Sequence, residues 1–368
     1  MMHLRFWPNV FFARRSEPLK LMDSLHISSE SPLAEARTSW FWMGFILALL
    51  LPTLNLAFLL SGPEALTKVW LWAVPLALLI GLDQFGPREV RRVPEKIPTV
   101  FFEGILYLLV LLQVANIFAL GFFVRDLGEI FHGDYLFLIG NLLVVRILGG
   151  TNACCSVIAP AHELIHRKSR WQRWLGRALL MSVFHDPFYV THRLGHHLQL
   201  GGEGDPSMVR DHEDYERFFR RTLCDQWGLA WSMKPRTTLF GINLSVLYAG
   251  IFYSVFGALA LFMLVYQSVV AIRLLEAVNY FQHLGLSKQS GLSEHTAWHC
   301  DRAVSLYLFL GLSRHADHHR HPQKTYSQLE EEGPGPLLPG GYLWTAIWVK
   351  NASRNYRRRV NDMLGIAA

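Results

Sequence analysis

The chain has 368 residues, of which 51% are hydrophobic, 13% aromatic and only 17% charged. With a mean hydropathy of +0.20, this composition favours an integral membrane protein over two soluble domains. The formal net charge of +6 is typical of a membrane protein whose cytoplasmic loops lie near anionic lipid, and we expect no nucleic-acid partner. The four cysteines form no C-x-x-C pair, which argues against a rubredoxin-type iron site or an iron–sulfur cluster within this chain.

Six apolar segments are predicted to cross a bilayer, which takes roughly 20 residues in a helix. The last apolar run, 239–272, carries no charge and would make one helix of about 50 Å, too long for a hydrocarbon core of about 30 Å. We therefore predict two helices that meet in a tight hairpin near Phe256 and Gly257. The predicted spans are 40–60, 69–85, 101–124, 135–158, 239–256 and 258–280.

The loops between these spans predict their orientation. Residues 1–39 show no clean signal peptide and are predicted to be a cytoplasmic lead-in. The loop 86–100 is basic and the connector 125–134 is acidic, so the first is expected in the cytoplasm and the second outside. Six crossings then place the four histidine groups described below on the cytoplasmic side. The predicted fold is an all-α membrane protein of about six transmembrane helices with a cytoplasmic, histidine-rich cap. Its membrane domain covers 40–345 and its basic tail 346–368.

Nine histidines in four short groups are the strongest chemical signal in the chain. Neutral imidazole is the commonest metal ligand, and an all-nitrogen set this large implies more than one transition-metal ion. In the first group the two histidines are four residues apart on a segment that continues a membrane helix, so both project from one face. The H-x-x-x-H-H and H-x-x-H-H patterns put their last two imidazoles on neighbouring faces, so one stretch of helix reaches two ions. The predicted ligands are His162, His166, His192, His196, His197, His283, His315, His318 and His319. Seven other histidines are predicted to be ordinary surface residues: His3, His26, His132, His185, His212, His295 and His299.

The chain resembles the integral-membrane alkane hydroxylases and xylene monooxygenases, within the membrane desaturase and hydroxylase superfamily. The resemblance covers most of the chain from about 40 to 345. Gln282 stands where alkane hydroxylases usually have glutamate. The matching stretches are His162-Glu163-Leu164-Ile165-His166-Arg167, His192 to His197, Asp205-Pro206, Asn279-Tyr280-Phe281-Gln282-His283-Leu284-Gly285-Leu286, and Arg314-His315-Ala316-Asp317-His318-His319-Arg320-His321-Pro322.

This resemblance implies a six-helix membrane bundle whose cap holds two non-haem iron ions through the nine histidines. It implies an O₂-dependent monooxygenase that hydroxylates a terminal or benzylic methyl group of a hydrophobic small molecule, an alkane or alkyl-aromatic, to a primary alcohol. Such a substrate would arrive from the membrane lipid. Electrons would come from a rubredoxin or ferredoxin with its reductase, because this chain contains no electron-transfer domain of its own.

Three alternatives remain open from the sequence. The His162-Glu163-x-x-His166 pattern is also a zinc metalloprotease signature with Glu163 as general base, but it leaves the other seven clustered histidines unexplained. The same metal site in a fatty acid desaturase, or in an oxidative decarboxylase that forms terminal alkenes, would give Arg193 or Arg314 a carboxylate to bind. A non-catalytic metal-binding or scaffold protein is the third alternative.

Several charged residues near the predicted site have two interpretations. Glu163 and Asp317 lie beside ligands and are candidates to orient the imidazoles, or else to form ordinary salt bridges. Arg146 falls inside the fourth span, where arginine is costly. It is predicted to bond to Gln113 or Asn116 on the third span, or to hold a substrate's polar head. The basic stretches 167–170, 217–221 and 354–359 would dock an acidic electron carrier or contact lipid headgroups.

Overall fold

A computed structural model describes residues 40–202, 204–286, 297–331 and 336–365. The chain divides into Met1–Trp42 and Met43–Ala368. The first unit, with the predicted lead-in 1–39, lies almost wholly outside the described residues, and the second unit contains nearly all of the described helices. Within the described part, regular structure is helical apart from two isolated bridges, Arg88 with Arg302 and His299 with Leu337. This confirms the all-α prediction.

Among the described residues, five helices are long and apolar enough to span a membrane. We number them with the shorter helices in chain order. The first four are α1 (Phe41–Ser61), α2 (Leu66–Phe85), α3 (Thr99–Ile130) and α4 (Tyr135–Ile165), and the fifth is α8 (Pro235–His283). The shorter helices between them are α5 (Arg170–Ser182), α6 (187–199) and α7 (Tyr215–Met233). After α8 come α9 (Ala303–Leu308), α10 (His315–Arg320) and α11 (Tyr342–Leu364), and these three helices together with α6 are called the cap.

Helix α8 contains the predicted hairpin. Its 49 residues are interrupted at Gly257, where φ is +85° and ψ is −179°, a conformation that glycine adopts easily. Thr238 and Glu276 would be about 57 Å apart in a straight helix. Instead, both residues contact α7. The Thr238 hydroxyl donates to the carbonyl of Ala230, and the Glu276 carboxylate accepts from the side chain of Gln226. Ala230 and Gln226 are only one turn apart on α7. The two halves of α8 therefore fold back beside each other, and the last two predicted spans correspond to these halves.

One predicted boundary was wrong. Helix α3 continues to Ile130, so the acidic connector expected at 125–134 is shortened to 131–134. Its charged residues extend the helix instead, since Arg125 and Glu129 form an i,i+4 pair at 3.8 Å. The fourth span was predicted to end before Pro160, with the first histidine pair on a continuation of the same helix. This continuation is confirmed, since α4 runs to Ile165 and His166 directly follows it. A π-helical turn at Cys154–Ile158 widens the helix just before the proline and relieves its clash with the preceding turn.

Buried amides join the spanning helices. Asn55 on α1 donates to Asn116 on α3 at 2.6 Å, and Asn116 donates in turn to the carbonyl of Pro52 at 3.0 Å. The side chain of Asn141 on α4 donates to the carbonyl of Glu64 at 2.8 Å. Such bonds satisfy polar groups within an apolar bundle and fix which helices are neighbours.

The cap is tied to the end of α2 by one buried carboxylate. Asp83 accepts from the hydroxyl of Ser305 at 2.6 Å and from the backbone N–H of Leu343 at 2.8 Å. These bonds hold the starts of α9 and α11 against the bundle. The cap and the spanning helices are therefore joined at a fixed point, which matters because the candidate ligands come from both.

Candidate metal centre

Four elements bring the nine predicted ligands together. The first two histidines lie at the end of α4, His162 in its last turn and His166 directly after it. Helix α6 carries the next three, the last residue of α8 is the sixth, and α10 carries the final three. Because α4 and α8 are spanning helices and α6 and α10 belong to the cap, the cluster lies where the bundle meets the cap.

The nine histidines separate into two groups. Within each group, one ring nitrogen per residue lies within 4.8 Å of all the others. The two groups are neighbours, since the rings of His192 and His196 are 5.5 Å apart and those of His162 and His315 are 5.9 Å apart. The five-histidine group is His162, His166, His192, His197 and His318, and the four-histidine group is His196, His283, His315 and His319.

Adjacent histidines reach different groups, as the H-H patterns predicted. His196 and His197 belong to different groups, and so do His318 and His319. A π-helical turn at His192–His196 explains a further detail. Its wider spacing brings residues five apart over one another, so His192 and His197 face the same group with their Nε2 atoms 3.1 Å apart.

The donor atoms of this cluster fit metal ions. Buried ring nitrogens of His162, His166 and His315 have no hydrogen-bond partner in the described structure, although unpaired buried polar groups are rare. Other ring nitrogens of the cluster face each other. Nε2 of His318 lies 3.2 Å from Nε2 of His197, and Nε2 of His196 lies 3.2 Å from Nε2 of His319. Convergent imidazole lone pairs of this kind suit iron, copper, zinc or nickel.

Burial keeps these imidazoles in the form that binds metal. It lowers the pKa values of the rings outside the spanning helices, and repulsion from neighbouring imidazoles lowers them further. At neutral pH these rings are therefore uncharged and present a free lone pair. The six rings concerned are His166, His192, His197, His315, His318 and His319.

Asp205 is a functional candidate whose contact with a predicted ligand, His196, the sequence did not reveal. Its buried carboxylate lies 2.8 and 3.0 Å from Nδ1 of His196 and accepts from the backbone N–H of Ser207 at 2.9 Å. With Nδ1–H donated to Asp205, the lone pair of His196 is on Nε2, which faces the four-histidine group. The Asp205-Pro206 pair shortly after the second histidine group was the available signal.

Glu276 is a second buried carboxylate whose contacts could not be predicted. It accepts from Gln226 at 2.9 Å and from Asn279 at 3.0 Å, and Nε2 of His185 lies 3.9 Å away. His185 was predicted to be a surface residue, but it is only 1% exposed, and burial lowers its pKa to about 4. A single histidine carries no periodic signal, so only the packing of α7 and α8 around it decides its burial.

The other six histidines predicted at the surface differ in exposure, and three of them are described by the structure. His132 and His212 are exposed and His299 is half-buried. His3, His26 and His295 lie outside the described residues.

Glu163 and Asp317, the two predicted orienting carboxylates, form ion pairs. Glu163 pairs with Arg167 at 2.9 Å, and Arg167 also pairs with Glu103 at 2.7 Å. Asp317 accepts from Lys324 at 3.1 Å and from the backbone N–H of Glu330 at 2.9 Å. A Glu163 held by arginine argues against its use as the general base of a metalloprotease.

Two arginines have partners that differ from those predicted. Arg146 does not bond to Gln113 or Asn116. Its Nε donates to the hydroxyl of Tyr266 on α8 at 2.9 Å, because the two predicted amides are already engaged, with Ser156 and with Asn55. Arg314 is buried and donates to the carbonyls of Leu329 at 2.6 Å and Arg91 at 2.8 Å. It therefore braces the segment before His315, which argues against a role in binding a substrate carboxylate.

The basic stretches are partly structural. Arg221 is engaged by Glu213 at 2.7 Å and Asp225 at 3.1 Å, and Arg167 by Glu163 and Glu103. The residues of these stretches that face solvent are Lys168, Arg170, Arg217, Arg220, Arg354, Arg358 and Arg359.

Comparison with known proteins gives consistent matches. A family model described as fatty acid desaturase matches residues 139–335, more than half of the chain. Alkane 1-monooxygenase 2 of Alcanivorax borkumensis is 25% identical over 332 residues, which cover 82% of this chain and 84% of that protein. Alkane 1-monooxygenase of Ectopseudomonas oleovorans is 28% identical over 298 residues, 74% of this chain and 71% of that one. The xylene/toluene monooxygenase hydroxylase component XylM of Pseudomonas putida is 25% identical, over 79% of this chain and 84% of that protein.

The matches agree with the helical bundle and with the histidine cluster. The matched region 139–335 begins in α4 and includes all nine histidines of the two groups. Together they identify a multi-pass membrane oxidoreductase of the monooxygenase type. The chain belongs to the fatty acid desaturase family and, within it, to the group of integral-membrane alkane hydroxylases and xylene monooxygenases.

Proposed function

We propose that this protein is a di-iron monooxygenase that uses O₂ and external electrons to hydroxylate a terminal or benzylic methyl group of a hydrophobic substrate. The product is a primary alcohol. The observation that carries this proposal is the collection of nine imidazoles into a group of five and a group of four, where the spanning helices meet the cap. The names of the relatives, alkane 1-monooxygenases and a xylene/toluene monooxygenase component, support an alkane or alkyl-aromatic as the substrate.

The nine histidines are the proposed ligands, one ion for each group. Iron is the metal proposed, on the strength of the family. Bound iron would supply O₂ activation and the oxidation of an unactivated C–H bond, chemistry that protein side chains alone do not perform.

The chain's own residues prepare this site in three ways. The packing of α4, α6, α8 and α10 around the rings keeps water away from the reacting centre and keeps the imidazoles neutral. Asp205 fixes the orientation and tautomer of His196. Arg314 fixes the backbone next to His315 through two carbonyls. These contacts hold the ligands in position before any metal or substrate arrives.

A hydrophobic substrate is proposed to reach the site from the bilayer. Helix α4 leads directly from the membrane-spanning part of the chain to His162 and His166, so a molecule dissolved among the apolar helices needs no passage through water. The proposed location is the bacterial inner membrane, with the site on the cytoplasmic side. The basic loop 86–100 and the acidic residues near 125–134 support this orientation.

The proposed electron donor is a rubredoxin or ferredoxin with its reductase. Such carriers are small and acidic, and opposite charge speeds their encounter with a basic surface. The exposed Lys168 precedes α5, Arg170 begins it, and the exposed Arg217 and Arg220 lie on α7. These cations support this docking because α5 and α7 flank α6 in the chain.

One experiment tests the function directly. Membranes that contain the protein are supplied with O₂ and a rubredoxin or ferredoxin system, and with octane, p-xylene and a mid-length fatty acid together. Products are identified by gas chromatography with mass detection. We expect a primary alcohol from a hydrocarbon, and we expect it to disappear in His197→Ala but to persist in His132→Ala, which changes an exposed histidine.

Two results would contradict the proposal. A terminal alkene one carbon shorter than the acid, with both hydrocarbons unchanged, would identify an oxidative decarboxylase. An unsaturated acid of the same length would identify a desaturase. Both enzymes begin with the same hydrogen abstraction, so only the product distinguishes them.

A further inference from the structure

The exposed face of the short helix α5 is apolar. Trp171 is 58% exposed and Trp174 is 50% exposed, and Ala178 is exposed one turn further on. Because these residues are spaced by three and four positions, their side chains lie on one face of the helix. A helix face that meets water normally carries charged and polar residues. Two exposed indoles beside an alanine instead form an apolar surface of the kind that contacts a partner or a membrane.

The charged residues of α5 lie away from this face or at the end of the helix. Arg177 is buried, and its Nε donates to Oδ1 of Asp186 at 2.7 Å. Arg173 donates to the backbone carbonyl of Arg167 at 2.9 Å. In α5, which the structure describes completely, Arg170 at the first position is the only charged residue that is exposed. The tryptophan face beyond Arg170 therefore carries no charge.

The opposite face of α5 packs against the end of α4. A Cβ on Gly176 would lie 2.8 Å from Cβ of Leu164 and 3.0 Å from the backbone oxygen of Ala161, so the two helices approach closely there. Ala161 and Leu164 belong to the turn that carries His162 and leads to His166. The position of α5 is therefore coupled to the first two predicted ligands.

The neighbours of the two tryptophans are membrane-spanning helices. Trp171 stacks on Tyr107 of α3 with ring centres 5.5 Å apart, and Trp174 meets Phe240 of α8 edge to face at 5.7 Å. Phe240 is itself 45% exposed. The exposed face of α5 therefore continues the apolar outer surface of α3 and α8, which lipid chains cover in a membrane.

The level of Tyr107 along α3 indicates the depth of α5. Helix α3 has 32 residues and is about 48 Å long, so it exceeds a hydrocarbon core of about 30 Å by about 18 Å. Its start lies on the histidine side, where Glu103 pairs with Arg167 at 2.7 Å. Tyr107 follows Thr99 by eight residues, which places it about 12 Å from that start. This level is close to the boundary between acyl chains and headgroups, where tryptophan and tyrosine are enriched.

We propose that α5 lies in the interface of the bilayer leaflet on the histidine side, with lipid covering Trp171, Trp174 and Ala178. Helices with one apolar and one packed or polar face commonly occupy this region. Arg170 extends from the end of the helix toward the phosphate groups. Lipid and α4 then hold α5 from opposite sides, so the leaflet supports the turn between the first two predicted ligands. The proposal does not depend on which reaction the histidine cluster performs.

Spin labels on single cysteines test the surroundings of this face in the full-length protein in lipid nanodiscs. Cys224 is exposed and is first replaced by serine, whereas the other three cysteines are buried. A label is then attached to α5 in Ala178→Cys, which keeps both tryptophans. Leu111→Cys, at a 64% exposed position of α3, is the lipid reference, and Asp211→Cys, at an exposed loop position, is the water reference. Collision rates are measured with molecular oxygen, which concentrates in lipid, and with a water-soluble nickel chelate.

We expect the label at position 178 to collide more with oxygen than with nickel, as at position 111, and the label at position 211 to show the reverse. Equal ratios at positions 178 and 211 would overturn the proposal. Protection from nickel only after a rubredoxin or ferredoxin is added would assign the face to the electron carrier instead. Low collision rates with both reagents would mean that protein covers the face, which also contradicts the proposal.

A second measurement uses the native tryptophans and decides the question if the labelled variants do not fold. Phospholipids brominated near the headgroup end of their acyl chains quench indole fluorescence on contact. We expect Trp171→Phe/Trp174→Phe, which keeps both positions aromatic, to lose part of the emission that these lipids quench in the parent. An equal quenched emission in the parent and in this variant would show that lipid does not reach α5.

Discussion

The two histidine groups are neighbours made from the same elements, but they are built differently. The four-histidine group contains His196, whose Nδ1 lies 2.8 Å from the buried carboxylate of Asp205. In the five-histidine group, no ring makes a hydrogen bond to a carboxylate in the part of the chain that the structure describes. One group thus has four imidazoles with a charged support, and the other has five imidazoles without one.

With one ion in each group, as proposed, the two ions would lie in unequal environments. A carboxylate that accepts the Nδ1–H of a ligating histidine raises the basicity of the other nitrogen and fixes the ring. In the other group, a fifth imidazole supplies one more nitrogen lone pair for a metal ion but no negative charge. We therefore expect the four-histidine group to depend strongly on each member, and the five-histidine group to tolerate the loss of one.

The largest effect is expected from His315→Ala, which leaves three imidazoles in the four-histidine group. Both ring nitrogens of His315 lack hydrogen-bond partners in the described structure, so the change breaks no hydrogen bond and reports on the ligand role. We expect alcohol formation to fall below detection and iron content to decrease, measured by gas chromatography and by elemental analysis. His185→Ala, which removes a buried histidine outside both groups, is the control. Full iron content in His315→Ala would contradict the assignment of this residue.

A smaller effect is expected from His166→Ala, because four imidazoles remain in the five-histidine group. Iron content and activity should fall but stay measurable, and both should exceed those of His315→Ala. Gas chromatography of the alcohol and elemental analysis of iron, applied to both variants, show which of the two loses more. If His166→Ala proved the more damaging of the two, the idea that the fifth ligand gives tolerance would be wrong.

Asp205→Asn tests the charged support with little change in shape. Loss of a carboxylate that orients a ligating histidine typically costs 10–100-fold in metal affinity, and we expect a loss of about this size for one of the two ions. Competition with a chelator measures it. Asp211→Asn, which neutralises an exposed aspartate in the same loop, should leave metal affinity unchanged. Equal affinity in the parent and in Asp205→Asn would show that the carboxylate has only a structural role.

The smallest effect is expected from Gln282→Glu, next to His283. The Gln282 amide donates to the hydroxyl of Tyr342 at 2.6 Å and to the carbonyl of Leu312 at 3.3 Å. A carboxylate cannot donate to that carbonyl, so we expect the free energy of unfolding to fall by about 1–3 kcal/mol. Thermal unfolding in detergent measures this, with Gln323→Glu on the exposed surface as control. A more stable variant would mean that Tyr342 and Leu312 rearrange to accept the charge.

Much of the fold could be predicted because its signals are local. Long apolar runs and the uncharged stretch 239–272 placed the spanning helices and the turn at Gly257. The error occurred where local signals conflict, since charges at 125–130 indicated a loop although they extend α3.

The sequence by itself determined which histidines come together, because their number and spacing are incompatible with ordinary surface or core positions. It also determined that adjacent histidines reach different groups, since neighbouring residues on a helix point in different directions. Only the tertiary structure decided which carboxylate supports a ligand, how five and four histidines divide, and where Arg146 finds its partner. These depend on contacts between residues far apart in the chain, such as Tyr266 with Arg146, and on the register of packed helices, which local pattern does not specify.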